Sequence, residues 1–342
     1  MTGEQTLYIH VGAGKTGSTY LQAVMATARQ RLAELGIDYP MDPGTERMAV
    51  AGRVTSGNLS PAAPLPETLA RYPGAETSPR LLFSNETLHL TMTRPDLPVA
   101  ASIREALPEA RIEVLCYIRD PLDHAVSSYG QVVKRNGYVG DCAAYLRGYN
   151  MPDRLLLLDD VVREMDGRLS IVNYSRHRDD LLATFETWLG LAPGTLPEPV
   201  LPEINRSLTR AELELQRAFN EHMGASSAAI ISDALCERLP DVRSETPPLA
   251  RDDLAAFLDR MEQKLADPRF AALIPDAERP RVGTIDDHAS RFPDPGQADR
   301  FEFSREQIDL LAQSMSSAIK LNARQVALRK KRRALRKASG EA

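Results

Sequence analysis

The strongest constraint on the fold lies near the start of the chain. Residues 7–11 (LYIHV) form a short apolar run rich in β-formers, which ends in Gly12-Ala13-Gly14. From Ser18 to about Leu35 the pattern turns helical, with Leu21, Val24, Met25, Ala28, Leu32 and Leu35 recurring at three- and four-residue intervals. Gly36 follows as a stop. A strand, a tight glycine turn and an amphipathic helix in that order predict a helix packed on a sheet.

The rest of the chain repeats the alternation. Apolar runs at 81–83 (LLF), 112–118 (IEVLCYI) and 169–174 (LSIVNY) read as buried strands, with helical patterns between them. This predicts an α/β fold, a central parallel β-sheet flanked by helices, with a helical C-terminal part from about 211 onward. Residues 1–210 are expected to form the core, and 211–342 to complete the same domain. Pro-rich stretches near 191–202 and 240–248 interrupt the helical pattern. The stretch 52–80 is rich in Gly, Pro, Ser and Thr and has little periodicity, so it reads as a long loop or lid. There is no internal repeat.

The turn after the first strand has the chemistry of an anion site. In Gly12-Ala13-Gly14-Lys15-Thr16-Gly17-Ser18-Thr19 the backbone N–H groups and the helix dipole converge, Lys15 adds an ammonium, and Thr16, Ser18 and Thr19 add hydroxyls. A plain glycine-rich turn is the bland alternative. An ATP-binding Walker A loop, GxxxxGK[ST], shares the Gly-Lys-Thr ending but needs glycine where this chain has Ile9. A second strand-turn-helix segment, 116–129 (CYIRDPLDHAVSSY), carries Arg119 and, eight residues later, Ser127. A guanidinium fork with a hydroxyl suits a phosphate monoester. Locally, Arg119 could instead pair with Asp120 or Asp123, and Ser127 could cap.

Together the two segments resemble the sulfotransferases that use 3′-phosphoadenosine 5′-phosphosulfate (PAPS). In that family a K-T-G-S/T-[ST] loop takes the 5′-phosphosulfate, and an arginine at a strand end with a serine eight residues on takes the 3′-phosphate. The resemblance covers about the first 220 residues and extends to 169–191 (LSIVNYSRHRDDLLATFETWLGL) and to Asn205-Arg206-Ser207. It implies a P-loop NTPase-like sulfotransferase fold with Gly14, Lys15, Thr16, Gly17, Ser18, Thr19, Arg119 and Ser127 around the nucleotide. Adenosine 3′,5′-bisphosphate (PAP) would be the product, with a small-molecule or glycan hydroxyl, or less readily an amine, as acceptor. A sulfuryl group carries less charge than a phosphoryl group, so no metal is expected. The alternatives are a P-loop kinase using ATP and magnesium, and a nucleotide-binding protein without catalysis.

Between the two segments, 82–89 (LFSNETLH) ends a strand on a carboxylate and resembles the strand that carries the glutamate base in glycan sulfotransferases. Glu86 is therefore the first candidate for general base, with Lys15 stabilising the leaving oxygens. His89 and His10 are rivals, since imidazoles titrate near neutrality. Glu86 as a structural acid is equally open. The chain departs from the small-molecule branch in lacking an R-K-G-x-x-G loop; Lys134-Arg135 and Arg176 with Arg178 are substitutes by position only.

Bulk properties narrow the setting. The composition, 43% hydrophobic and 26% charged, is that of a globular enzyme. The net charge of −5 hides an asymmetry: residues 321–342 hold eight Lys/Arg against one acid, leaving the body near −12. The basic tail at 324–337 reads as a solvated helix end or as a peripheral contact with anionic membrane. It has no interleaved aromatics to stack bases, so a nucleic-acid partner is not expected. Three widely spaced cysteines suit neither a disulfide framework nor a zinc site and are read as reduced. No apolar run of about 18 residues and no secretory signal occurs, which points to a cytoplasmic protein. Finally, 154–160 (RLLLLDD) mimics a magnesium-orienting Walker B strand, but Leu155, Leu158, Val162 and Met165 fit a helix better.

Overall fold

A computed structural model of the chain describes residues 5–53, 55, 57–199, 206–297 and 300–338. Four strands, β1 (Thr6–Gly12), β2 (Arg80–Asn85), β3 (Arg111–Ile118) and β4 (Gly167–Asn173), lie where the apolar runs place them. All pair in parallel, in the order β2-β1-β3-β4, and a further parallel bridge joins Asp38 to Leu81 at the β2 edge. Parallel neighbours require crossovers, and helices supply them. The chain leaves β1 toward one side to form β2 and then crosses to the other side to form β3. The C-terminal end of β1 is therefore a topological switch point, where open α/β sheets bind ligands.

Both faces of the sheet are covered, which is why its strands read as near-continuous apolar runs. Leu7, Ile9 and Val11 share one layer with Phe83, Val114 and Cys116 and pack against Leu155, Leu158 and Val162 of the Met151–Glu164 helix. On the other face Leu82, Leu115 and Tyr117 meet Leu21, Val24 and Met25 of the Ser18–Thr27 helix and Leu181 and Phe185 of the Leu181–Trp188 helix. Each such fully buried side chain stabilises the fold by about 1.5–3 kcal/mol.

Three expectations meet the structure differently. The stretch from Ser18 to Leu35 is two helices, Ser18–Thr27 and Arg29–Glu34, because Ala28 leaves helical geometry (φ −89°, ψ 9°). Its N–H still bonds the Val24 carbonyl at 2.8 Å, and the helical stretch ends at Gly36, φ 74°. The 52–80 stretch is a loop only in part. It contains a short helix, Leu65–Leu69, and a 3-10 turn, Ala75–Thr77, and it sends Leu59, Leu65, Leu69 and Ala75 into the core. Val54 and Ser56 lie outside the described residues. The Walker B mimic is helical, as its spacing predicts, with Leu155, Leu158 and Val162 inward and Asp160 bonded to Arg269.

By internal contacts the chain forms two compact units. The first, Met1–Ser128 with Arg147–Pro202 and Leu254–Asp287, holds the sheet and its helices. The second, Tyr129–Leu146 with Glu203–Asp253 and His288–Ala342, is helical and has Ile231, Leu235, Leu310 and Leu311 in its core. Its last helix, Arg305–Ala338, runs through the basic stretch, whose side chains at 329–337 lie outside those described. The three cysteines are free and buried. Among the described residues no helix is long and apolar enough to cross a membrane.

Candidate functional site

The glycine turn leaves the end of β1 and enters the Ser18–Thr27 helix through a run of left-handed backbone at Gly14 (φ 67°), Lys15 (φ 55°) and Gly17 (φ 84°). Two of its glycines are required by space. A Cβ at Gly12 would fall 2.2 Å from the Ser18 hydroxyl and 3.2 Å from the Glu86 Cα, and one at Gly17 would fall 2.4 Å from Leu181 and 3.2 Å from Tyr174. The hydroxyls of Thr16 and Ser18 are buried without a hydrogen-bond partner. The N–H groups of Gly14, Thr16 and Gly17 donate to no protein acceptor among the described residues. Buried polar groups are normally paired, so orphan donors gathered at a helix N-terminus fit an anion with several oxygens. Thr19 lies in the first turn of the helix, half-buried.

Glu86 follows the last residue of β2, on the strand beside this loop. Asn85 fixes the turn: its Nδ2 donates to the Leu59 carbonyl at 2.6 Å, and its Oδ1 accepts from the Thr87 N–H at 2.7 Å and hydroxyl at 2.8 Å. Burial pushes the half-buried Glu86 carboxyl up from its usual range, and the nearby Lys15 ammonium partly opposes this. The two histidines sit differently. His89 is buried and its Nδ1 lies 2.9 Å from the Glu86 carbonyl, which makes Nδ1 a donor to the backbone. His10 is wholly buried between Tyr117 and Phe185, its Nδ1 2.9 Å from the Ser84 hydroxyl. Burial pushes the pKa of each down to about 4. Both are neutral at pH 7 and weakly basic, whereas Glu86 is partly exposed beside the loop.

Arg119 follows β3, the other neighbour of β1, and Ser127 lies on the helix Pro121–Asn136 that begins two residues later. The Arg119 guanidinium rests over the Tyr174 ring, 5.9 Å from its centre, and Tyr174 also borders Gly17. This ring links the two predicted phosphate sites. The local alternative, an Arg119–Asp120 pair, does not form. Asp120 Oδ1 accepts instead from Asn173 Nδ2 at 3.0 Å and the Arg281 N–H at 2.9 Å, and Arg119 makes no ion pair among the described residues. Of the substitute cations, Arg176 is committed to the carbonyls of Ala277 and Arg279. Arg178 lines a cavity of about 500 Å³ with Gly17, Tyr20 and Tyr174. Lys134 and Arg135 belong to the second unit, where Arg135 pairs with Asp233. Asn205 lies outside the described residues.

Sequence reasoning passed over His124. It sits one turn before Ser127, with Nε2 2.9 Å from the Ala13 carbonyl and 3.2 Å from that of Gly14, and Nδ1 2.8 Å from the Tyr149 hydroxyl. Its only signal was a histidine among the apolar positions Leu122, Ala125 and Tyr129 of the helix, all buried. Compared with known protein families and with curated proteins, the chain finds no match in either.

Proposed function

We propose that this protein transfers a sulfuryl group from PAPS to an acceptor hydroxyl. One observation carries the reading: three adjacent parallel strands, in the order β2-β1-β3, deliver at their C-terminal ends a carboxylate (Glu86), an anion loop (residues 12–19) and an arginine-serine pair (Arg119, Ser127). A nucleotide phosphorylated at both 5′ and 3′ positions uses the loop and the pair together; ATP has nothing for the pair to hold. The orphan hydroxyls of Thr16 and Ser18 and the amides of the loop suit the 5′-phosphate side. Lys15 neutralises charge on the oxygens that leave with PAP, and preorganised donors of this kind are often the largest catalytic contribution. Glu86, raised by burial yet partly exposed, suits removal of the acceptor's proton as its oxygen attacks sulfur in line. The resemblance of the Glu86 strand to glycan sulfotransferases favours a carbohydrate or glycolipid hydroxyl as acceptor.

The test compares PAP with ATP plus magnesium in a thermal-shift titration, followed by sulfuryl transfer from PAPS to a panel of saccharides and glycolipids. Tight PAP binding and transfer are expected. Stronger protection by ATP would favour a kinase, and PAP binding without transfer to any acceptor a non-catalytic binder. Arg119→Ala should weaken PAP far more than adenosine 5′-phosphosulfate, which lacks the 3′-phosphate, and equal losses would remove Arg119 from that role.

A further inference from the structure

A neutral imidazole has one nitrogen that donates and one that accepts, and at His124 the surroundings decide which is which. Carbonyl oxygens only accept, so Nε2, within reach of the Ala13 and Gly14 oxygens at 2.9 and 3.2 Å, carries the hydrogen. Nδ1 then accepts from the Tyr149 hydroxyl at 2.8 Å. His124 is buried, and burial holds its pKa below the usual imidazole range, which keeps it in this neutral form.

The contact determines where the loop amides point. The Ala13–Gly14 and Gly14–Lys15 peptides are trans, and a planar trans peptide directs the carbonyl of one residue and the N–H of the next to opposite sides. Turning the Ala13 and Gly14 carbonyls toward His124 therefore turns the N–H groups of Gly14 and Lys15 away from it. The same segment holds Lys15, a residue with a Cβ, in the left-handed region at φ 55°, which costs about 1–2 kcal/mol. Such a conformation persists only where its surroundings impose it.

We propose that His124, held by Tyr149, is the positioning residue that aims the amides of the loop at its anion. The proposal rests on the reading that this loop takes the 5′-phosphate side of a nucleotide. His124 and Ser127 lie on one helix three residues apart, so the grip on the loop and the Arg119–Ser127 pair are fixed by the same element.

The experiment measures, by calorimetry on the full chain, the affinities of PAP, of adenosine 3′-phosphate, which lacks the 5′-phosphate, and of inorganic pyrophosphate. His124→Phe keeps a ring but removes the donor and is expected to weaken PAP and pyrophosphate by roughly tenfold or more while leaving adenosine 3′-phosphate within about twofold. His124→Gln, whose amide can still donate, should recover most of the loss. Equal losses for PAP and adenosine 3′-phosphate, or unchanged PAP and pyrophosphate affinities, would overturn the proposal. Should His124→Phe not fold, Tyr149→Phe removes only the hydroxyl and decides the matter by the same selective loss or its absence. If the wild type binds PAP no better than pyrophosphate, the nucleotide reading fails, yet a pyrophosphate loss confined to the His124 and Tyr149 variants still supports their role.

Discussion

Burial raises the Glu86 carboxyl and the Lys15 ammonium opposes it, so the charge of each matters to the other. A base must be ionised to act, so turnover should fall on the acid side with a limb above the ordinary carboxylate range, and Glu86→Gln should lower turnover by roughly a hundredfold with PAP affinity retained. Retained turnover in that variant would return Glu86 to a structural role. Stability should move the other way. A raised folded-state pKa means that the native protein binds the proton more tightly, so the stabilisation is present below the unfolded pKa and lost as pH rises through the folded one. At pH 7 Glu86→Gln should therefore melt above the wild type, and the gap should close as pH falls below the carboxylate range. On the proposed role of Lys15 as a donor to the leaving oxygens, Lys15→Ala should lower turnover by about a hundredfold or more, with the far-ultraviolet circular dichroism unchanged. Near-normal turnover would take Lys15 out of the chemistry.

Among the elements, the four strands were legible because each carries a mostly apolar run, and the turn at 12–19 because glycine, lysine and hydroxyl residues mark it directly. The 52–80 stretch was not, for a physical reason. It is fixed by side-chain bonds to distant backbone, which leave no period in the sequence. Asn58 shows how. It stands at the edge of β2 like a strand of one residue: its Oδ1 accepts from the Ser84 N–H at 2.7 Å, its own N–H donates to the Ser84 carbonyl at 3.0 Å, and its Nδ2 donates to the carbonyls of Pro40 at 2.8 Å and Leu82 at 3.2 Å. The same blindness hid His124, whose partners are the backbone after β1 and the distant hydroxyl of Tyr149. Asn58→Ala would leave a buried N–H and two carbonyls unpaired, at a cost of about 2–3 kcal/mol, read as a lower urea midpoint. An unchanged midpoint would mean that water replaces these bonds.

At the scale of the whole chain, the alternation of strand and helix patterns made the α/β class legible and motif spacing named the candidate residues, but the grouping of segments into units was out of reach of any local pattern. The first unit takes 254–287 from the C-terminal half, and the second takes Tyr129–Leu146 from the N-terminal half. Contacts between residues far apart in sequence decide this, and those that Arg206 and Glu212 make with Leu235, Leu239 and Gln307 are a case in the second unit. The Arg206 guanidinium bonds both carboxylate oxygens of Glu212 at 2.6 and 2.7 Å and the backbone carbonyls of Leu235 and Leu239. Glu212 also closes a capping box with Thr209 at the start of the Arg210–Met223 helix and accepts from Gln307 of the C-terminal helix at 2.7 Å. One buried pair thus ties three separate stretches together. Burial pushes the Glu212 carboxyl up, but the bonds from Arg206, Thr209 and Gln307 outweigh it and hold the pKa below the usual range. The stability this brings is present above the unfolded carboxylate pKa and is lost as pH falls through the folded one. Glu212→Ala should strand a buried guanidinium and cost about 3–5 kcal/mol, whereas a double replacement of Arg206 and Glu212 by leucine, which strands no charge, should cost far less. Hydrogen exchange makes the measurement local: amides of Arg210–Met223 and Ser232–Arg238 should lose protection in the single variant and regain much of it in the double one. Equal losses in both would mean that the pair stabilises by more than mutual neutralisation.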